Sequence, residues 1–510
     1  MKDKQVKIGA IISYIAIAVN ILVGLIYTPW MIDKIGKSQY GIYTLANSLI
    51  TLFLIDFGLS AATARFVSNY HAAGEEERVD NFLGIVYKFY AIVDAVIFVV
   101  LFVLYFFIDK IYINLTAEEL QQFKVVYIIA ASFNLVNLPF VTQNGILTAY
   151  EKFIQLKLAD LIYRLFVVGL TVFVLLEGWG LYALVGANAV AGLLIIIYKQ
   201  IVIKSTTKVR VNFRYSDRKM MKSIFGFSFW TTVYTLSARL VFNITPSILG
   251  IVADTAAIAV FGVISTIEGY AYTFTTAING MFMPKISRTY LASEDEAHEN
   301  IMPLMINVGR FQFALNGLLV VGFALVGKNF INVWMGADYS DAYWGILLVI
   351  IPGMFFNSLQ VANTAMVVKN KVDIQAYVGL ACGVLNVVCS FFLSKYYGVI
   401  GASFAIFISY SARAIIYHFV HKKVMKFDIK RFIGKCYLRM FPSLVLTFGA
   451  GMALNYFVKD GGWLILGVKV LAITAVFLLF VFLFGISKEE RKNFINKFKK
   501  EKRGQLEEKK

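Results

Sequence analysis

Several charged side chains stand in the middle of long apolar stretches of this 510-residue chain. A charge at the centre of a membrane helix costs about 2.5–3.5 kcal/mol, so each such residue needs a partner, a water-filled cavity or a function. The clearest candidates are Arg239 and Glu268, each near the middle of its own stretch. Because a guanidinium group is planar, permanently charged and able to bond two oxygens of one anion at once, Arg239 suits an anionic ligand.

The stretch around Arg239 is too polar for a surface that faces lipid, since it also contains Tyr234 and Asn243, and it is expected to bend at Pro246. Arg310 and Arg413 stand nearer the ends of their stretches, where Arg310 is expected to meet an entering anionic ligand and Arg413 either does the same or extends to the interface. The alternative for Arg239 is a bridge to Glu268 that only joins two helices. The candidate substrate-binding residues are therefore Tyr234, Arg239, Asn243, Glu268, Arg310 and Arg413.

A second group of charges lies in the first part of the chain. Asp56, Lys88 and Asp94 are candidates for coupling to a proton or a sodium ion, although Asp56 and Lys88 could instead pair with each other. Asp160 and Arg164 are four residues apart on one helix face, so we expect them to neutralise each other. Lys469 is expected at the lipid edge or in a contact between lobes.

Long apolar helices must position these residues. The chain contains about fourteen apolar stretches of roughly twenty residues, the length that crosses a bilayer once. Such stretches must be helical because lipid offers no partner for a free backbone N–H or C=O. The composition agrees, with 59% hydrophobic and 16% charged residues. We predict an all-α membrane protein whose transmembrane helices lie near 8–28, 40–64, 81–107, 122–147, 157–177, 180–203, 221–250, 257–281, 301–326, 342–367, 375–394, 399–420, 437–457 and 463–486.

Positive charge is concentrated in alternate loops. Lysine and arginine are frequent in 199–222 and 421–439 but scarce in 109–122 and 177–180. Positively charged loops stay in the cytoplasm, and an even number of spans then places both termini there. The formal net charge of +18 therefore reflects membrane topology, and a nucleic-acid partner is not expected.

The two halves of the chain resemble each other at a shift of about 219 residues, the kind of internal repeat that many transporters show. Glu75-Glu76-Glu77 aligns with Glu294-Asp295-Glu296, and Ile196-Ile197-Tyr198 aligns with Ile415-Ile416-Tyr417. Two parallel six-helix repeats followed by two C-terminal helices are expected. The predicted division is an N-terminal lobe at 1–203, a basic cytoplasmic linker at 204–220, a C-terminal lobe at 221–420, two additional helices at 421–486 and a basic cytoplasmic tail at 487–510.

Short motifs at the ends of the spans carry a family resemblance. Residues 35–43 enter the second span, Asp56-Phe57-Gly58-Leu59 and Arg65 close it, and residues 282–288 close the eighth. With these motifs and its span layout, the chain resembles the polysaccharide flippases of the multidrug/oligosaccharidyl-lipid/polysaccharide exporter superfamily. The resemblance implies a V-shaped pair of lobes whose central cavity admits a lipid-linked sugar headgroup. Arg65 and Arg288 are our candidates for a cytoplasmic gate.

We therefore predict a flippase of the bacterial inner membrane that moves polyprenyl-diphosphate-linked oligosaccharide by alternating access. Membrane lipid and this lipid-linked glycan are the expected partners, with polysaccharide polymerase or chain-length machinery as a further one. The alternative is a cation-coupled multidrug antiporter of the same fold, although 8–28 lacks the acidic residue that such antiporters commonly have there. Catalytic motifs and metal-spaced Cys/His clusters are missing, so no enzyme activity, cofactor or metal site is expected.

Overall fold

The computed structural model describes residues 21–53, 56–276, 282–292, 296–486 and 490–491. Within these ranges the chain is almost entirely helical and contains no strand. A short 3-10 turn at Leu138–Val141 joins two of the helices. The helices in chain order are α1 (residues 21–35), α2 (Lys37–Phe53), α3 (Leu59–Ala72), α4 (Glu76–Ile111), α5 (Ala117–Asn137), α6 (Thr142–Ala149), α7 (Phe153–Leu176), α8 (Gly180–Thr206), α9 (Arg218–Phe242), α10 (Thr245–Val252), α11 (Thr255–Thr276), α12 (Met283–Ala292), α13 (Ala297–Trp334), α14 (Asp341–Asn357), α15 (Gln360–Val368), α16 (Val372–Lys423), α17 (Ile429–Ile433), α18 (Arg439–Phe457) and α19 (Trp463–Phe480).

Ten helical segments in the described residues are long and apolar enough to cross a membrane, or eleven if the bent pair α9–α10 counts as one span. The chain is therefore a multi-pass helical membrane protein, as predicted, while the count of fourteen stays a prediction. The predicted count of fourteen and the count of eleven in the described residues differ for three reasons. The predicted span 40–64 is divided between α2 and α3, the spans 375–394 and 399–420 both lie in α16, and residues 8–20 of the first span lie outside the described ranges.

Helices break at residues that cannot continue them. Between α2 and α3, φ is positive at Phe57 (52°) and at Gly58 (66°), which ends a right-handed helix. Helix α16 is interrupted at Gly398, where φ is 53° and ψ is −132°. Pro246 has no N–H to bond the preceding turn, and the α9–α10 pair is bent by 40°. The bend expected at Pro246 is confirmed.

The described residues form two compact units. The first contains Tyr270 and the residues before it, together with Asn370–Ser409. The second contains Ala271–Lys369 and the residues from Tyr410 onward. Helices α11 and α16 each begin in the first unit and end in the second. The division into lobes at 1–203 and 221–420 stays a prediction.

Helices α3 and α6 approach each other closely in the first unit. A Cβ added to Gly145 of α6 would lie 2.5 Å from the carbonyl oxygen of Ser60 and 2.8 Å from the Cβ of Thr63. Thr63 is fully buried at this contact. Small residues let helix backbones approach in membranes, where dispersion and hydrogen bonds hold helices together. Gly145 therefore determines the spacing of the two helices.

Residues 207–217, which connect α8 to α9, are bound to the start of α4. The backbone N–H of Arg210 donates to the Asp80 carboxylate at 2.6 Å, and the N–H of Asn212 donates to the Asp80 carbonyl at 3.0 Å. The Asn212 side chain also donates to the side-chain oxygen of Asn81 at 2.7 Å. We call this segment the α8–α9 connection. It follows the surface of α4 over its whole length.

Helix α13 forms the centre of the second unit. Val326 of α13 packs with Leu466 and Ile473 of α19 in a buried core. Helix α18 joins through Asn455, whose side chain donates to the Leu325 carbonyl at 2.8 Å. The two C-terminal helices are therefore packed against α13.

The buried charge of Lys469 is compensated in the same region. Its side chain is 1% exposed, and its Nζ donates to the Asp460 carboxylate at 2.8 Å. Asp460 lies in the loop just before α19. Both residues belong to the second unit, so the lipid-edge alternative for Lys469 is wrong, while a contact between lobes stays a prediction.

We expect Gly145→Ala to lower the melting temperature of the purified protein in detergent. The added methyl group meets the Ser60 backbone, and overpacking of this kind typically costs about 1–3 kcal/mol. The matched control is Gly169→Ala on the exposed face of α7, where an added Cβ meets no atom within 4 Å. Melting temperatures are measured by nanoscale differential scanning fluorimetry, and equal values for the two variants would contradict the close α3–α6 contact.

Candidate functional site

Five tyrosines and one arginine come together inside the first unit. Arg164 of α7 is within electrostatic range of the hydroxyl groups of Tyr27, Tyr43, Tyr163 and Tyr270. Tyr40 is likewise close to Tyr43 and Tyr270. We call this group the tyrosine–arginine cluster: Tyr27, Tyr40, Tyr43, Tyr163, Arg164 and Tyr270.

Five helices build the tyrosine–arginine cluster. The rings of Tyr40 and Tyr43 on α2 are stacked, with centroids 6.4 Å apart and an interplanar angle of 27°. Asn188 of α8 donates to the Tyr43 hydroxyl at 3.4 Å. Tyr270 of α11 lies so close to Gly24 of α1 that an added Cβ would be 1.6 Å from its hydroxyl. Tyr27 also lies on α1, and α7 supplies Tyr163 and Arg164.

Arg164 lies about 17 Å along α7 from its first residue, near the middle of the helix. Its Nε is buried and has no hydrogen-bond partner among the described residues. Asp160 pairs instead with Lys157 (3.5 Å) and Lys199 (4.0 Å). The prediction that Asp160 and Arg164 neutralise each other is therefore wrong, because two lysines, one of them on α8, lie beside the Asp160 carboxylate.

The chemistry of the tyrosine–arginine cluster suits a ligand that is both anionic and rich in hydroxyl groups. The guanidinium can bond phosphate or carboxylate oxygens in pairs. Tyrosine offers an apolar ring face together with a hydroxyl that donates and accepts, and the Asn188 amide adds two donors and an acceptor. A sugar presents the same mixture of apolar faces and hydroxyls. The cluster can therefore bind a glycan with a charged group.

Arg239 on α9 is a second cation of the first unit without a carboxylate partner in the described part of the chain. Its Nη1 is buried and makes no hydrogen bond there. No ion pair joins it to Glu268, so the predicted alternative of a purely structural bridge is wrong. The opposite side of α9 packs on α16, where Asn386 donates to the Leu240 carbonyl at 3.1 Å. This packing leaves Arg239 on the other side of the helix.

Tyr234 and Asn243 lie on the same helix as Arg239, and both are half-buried. The Tyr234 carbonyl accepts a hydrogen bond from the Ser237 hydroxyl at 2.6 Å. Asn243 ends α9, and its backbone N–H donates to the Arg239 carbonyl at 3.1 Å. Their role in ligand binding, like that of Glu268, stays a prediction.

Arg310 and Arg413 belong to the second unit, and groups of that unit engage both. Arg310 is 8% exposed; it forms an ion pair with Glu490 and donates to the Asn307 side chain at 3.3 Å. Arg413 is 3% exposed, and its guanidinium lies 4.6 Å from the centroid of the Phe356 ring. Their predicted contact with a diphosphate is untested.

The family of the chain follows from a comparison with family models. The model described as "Polysaccharide biosynthesis protein" matches residues 6–290, which is more than half of the chain. The chain belongs to this family. The match includes the whole tyrosine–arginine cluster and the motifs at residues 35–43 and 56–65.

Two curated proteins are similar to this family member over most of its length. The membrane protein EpsK of Bacillus subtilis, which is described as uncharacterized, is 21% identical over 96% of the chain and 97% of its own length. The putative O-antigen transporter of Shigella flexneri is 22% identical over 78% of the chain and 92% of its own length.

Solved structures show the fold. The lipid II flippase MurJ in an inward closed conformation matches 94% of this chain and 98% of its own, with a TM-score of 0.71 at 15% identity. An inward-facing multidrug resistance MATE transporter of the MOP superfamily matches 80% of this chain and 98% of its own, with a TM-score of 0.64 at 15% identity. The fold of this superfamily, expected from the span layout, is confirmed.

The structure shows what the family motif at residues 35–43 does in this chain. Gly36, with φ of 85°, makes the turn between α1 and α2. Tyr40 and Tyr43 of the motif then enter the tyrosine–arginine cluster. This cluster was not predicted from the sequence, because the spacing of Asp160 and Arg164 favoured an ion pair between them. The adjacency of Tyr163 and Arg164 in a membrane span was the available signal.

The three candidate coupling residues occupy different surroundings. The Tyr90 hydroxyl of α4 donates to the Asp56 carboxylate at 2.7 Å. Lys88 donates instead to the Tyr215 carbonyl at 2.9 Å, so the Asp56–Lys88 pair does not form. Asp94 lies one turn beyond Tyr90, and its Oδ1 is buried without a hydrogen-bond partner among the described residues. An ion-coupling role for these residues stays a prediction.

The two candidate gate residues are both exposed and lie near the middle of short helices. Arg65 lies on α3 with its guanidinium 6.0 Å from the centroid of the Phe66 ring. Arg288 lies on α12 in the second unit. A gate formed by these residues stays a prediction. The described residues contain no group of three or more His, Cys, Asp or Glu side chains that could hold a metal ion.

We expect Tyr90→Phe to lower the melting temperature of the purified protein, because it removes the shortest hydrogen bond of a half-buried carboxylate, at a cost of about 1–3 kcal/mol. Adding Asp56→Asn to Tyr90→Phe should cost little more, since both partners are then changed. The control is Tyr105→Phe on the same helix. If Tyr105→Phe lowered the melting temperature as much as Tyr90→Phe does, the hydrogen bond to Asp56 would contribute nothing to stability.

Proposed function

We propose that this protein flips a polyprenyl-diphosphate-linked oligosaccharide across the bacterial cytoplasmic membrane. The main support is the tyrosine–arginine cluster: an arginine in mid-membrane without a carboxylate partner, surrounded by tyrosine hydroxyls. A buried cation of this kind is stable only in a wet cavity or with an anionic ligand. Membership of the polysaccharide biosynthesis family supports a glycan as the rest of that ligand.

The proposed ligand divides into parts that this chemistry accommodates separately. The diphosphate loses its hydration on leaving water, a loss that the guanidinium of Arg164 offsets through charge-assisted hydrogen bonds. The sugar rings lie against tyrosine faces, and their hydroxyls bond to tyrosine hydroxyls and the Asn188 amide. The polyprenyl chain remains in the bilayer because it is as apolar as the lipid. Arg239 is the further cation we assign to the diphosphate in the first unit, and Arg310 and Arg413 are the candidates in the second.

The orientation and the movement are part of the same proposal. The distribution of lysine and arginine supports two cytoplasmic termini, with the basic α8–α9 connection on the cytoplasmic side. The internal repeat supports two six-helix lobes, 1–203 and 221–420, that expose the cavity alternately to each side. The names of two similar proteins, an O-antigen transporter and a lipid II flippase, support a lipid-linked glycan as the cargo.

A cation-coupled multidrug antiporter is the second candidate function. The MATE transporter match and the buried, unbonded Oδ1 of Asp94 favour it. An antiporter of cationic drugs needs acidic groups in its binding cavity, whereas Arg164 is a cation at the centre of the tyrosine–arginine cluster. The flippase is therefore the better-supported function.

We expect Arg164→Gln to slow translocation of a fluorescent polyprenyl-diphosphate-linked saccharide in proteoliposomes by about ten- to a hundredfold, because hydrogen bonds to charged groups contribute about 1.5–3 kcal/mol. Arg164→Lys should retain part of the activity, since it keeps the charge and loses the paired geometry.

Asp160→Asn is the matched control, one turn away on the same helix. It removes only partly exposed ion pairs, which contribute up to about 1 kcal/mol, so translocation should be nearly normal. Normal translocation by Arg164→Gln would exclude the cluster as the diphosphate site. Efflux of a cationic dye by the wild-type protein, without glycan translocation, would favour the antiporter.

A further inference from the structure

A hydrogen-bonded cluster lies at one end of the first unit, around the carboxylate of Glu119. Its Oε1 accepts hydrogen bonds from the hydroxyls of Ser38 and Thr255, each at 2.6 Å. The two hydroxyl oxygens are 3.2 Å apart. We call Ser38, Glu119 and Thr255 the outer cluster. One carboxylate oxygen thus joins the first turns of α2, α5 and α11.

Further contacts at the same end join the same parts of the chain. A Cβ added to Gly41 of α2 would lie 2.2 Å from the Thr255 carbonyl oxygen, so the two backbones are in direct contact. The Asn114 side chain donates to the Ile251 carbonyl at 2.5 Å. The hydroxyl of Tyr112, just after α4, donates to that of Ser247 at 3.3 Å.

These contacts connect the two halves of the repeat. Helices α2, α4 and α5 precede the α8–α9 connection, whereas α10 and α11 follow it. The distribution of lysine and arginine predicts that the loops at this end, residues 112–116 and 253–254, lie outside the cell. Alternating access requires the two halves to separate at this end when the cavity opens outward.

We propose that Glu119 holds the outward side of the cavity closed. When the outer cluster is intact, α2 and α11 are in backbone contact at Gly41 and close the outward side, and on α2 the tyrosine–arginine cluster begins at Tyr40, within one turn of Ser38. Outward opening breaks the Ser38 and Thr255 hydrogen bonds, and water then solvates the carboxylate. The substitution of Glu119 therefore favours the outward-open state.

The second carboxylate oxygen of Glu119 is not part of the outer cluster and takes part in a separate set of hydrogen bonds. Oε2 accepts the backbone N–H of Thr116 at 2.9 Å, and the Thr116 hydroxyl in turn accepts the Glu119 N–H at 3.3 Å. This capping box stabilises the start of α5. Thr116→Ala weakens the capping box without changing a residue of the outer cluster. A helix-capping effect of Glu119 can therefore be separated from an effect on opening.

The first experiment measures opening directly and needs no glycan. Cys382, Cys389 and Cys436 are replaced by Ala, and Thr44→Cys is introduced on α2, where the Thr44 hydroxyl packs 3.0 Å from the position of a Cβ added to Gly262 of α11. A membrane-impermeant maleimide is added outside right-side-out vesicles. We expect Glu119→Ala to increase the labelling rate by about tenfold, the effect of losing hydrogen bonds to a charged group.

Two control variants accompany this measurement. Glu118→Ala changes the neighbouring exposed carboxylate, which accepts a hydrogen bond from Gln122 at 3.3 Å, and Thr116→Ala weakens the capping box. Both should label at the rate of the parent protein. If Glu119→Ala labels no faster than these controls, the proposal is overturned, whatever the protein transports.

The second experiment tests whether the outer cluster must separate during transport. Ser38→Cys and Thr255→Cys are combined in the same cysteine-free background and oxidised. We expect a cross-link that stops translocation of the lipid-linked saccharide and a return of activity on reduction. Translocation at an undiminished rate by the cross-linked protein would overturn the proposal, and so would a failure of the pair to cross-link.

Discussion

A cation in the hydrocarbon region has to be solvated, and Arg164 and Arg239 have no carboxylate for this purpose among the described residues of the first unit. In each of the two arginines, one guanidinium nitrogen is buried at membrane depth and has no hydrogen-bond partner among the described residues. Water or an anionic ligand must therefore reach them, since lipid cannot. Two buried charges of the second unit contrast with this arrangement. Lys469 has Asp460 and Arg310 has Glu490, and such pairing is the usual condition of a buried structural charge.

Helix α2 connects the tyrosine–arginine cluster to the outer cluster. Its first turns carry Ser38, which bonds Glu119, and Gly41, which contacts the backbone of α11. Tyr40 and Tyr43 on the same helix belong to the tyrosine–arginine cluster. A displacement of α2 relative to α11 therefore changes the access to the cluster and its geometry together. The family motif at residues 35–43 places both features within nine residues.

Helix positions could be predicted from the sequence because lipid leaves a long apolar segment no other structure. The bend at Pro246 also followed from a local property of one residue. The break between α2 and α3 was missed, because Phe57 and Gly58 take positive φ values that an apolar pattern does not encode. Side-chain partners were the least predictable feature. Asp160 and Arg164 have ideal spacing for a pair, yet the lysines beside Asp160 include one on a helix that only the packing of α7 against α8 brings near.

The α8–α9 connection has a mechanical consequence for any movement of the second half. Its backbone is fastened to the first turns of α4 at Asp80, so only a few residues of free chain remain before α9 begins. A slack tether would let α9 tilt without disturbing its neighbours. Because the α8–α9 connection is short, a tilt of α9 would displace α4, the helix that carries Tyr90 and its hydrogen bond to Asp56. The start of α9 is thereby connected to the end of α4 that lies opposite the outer cluster.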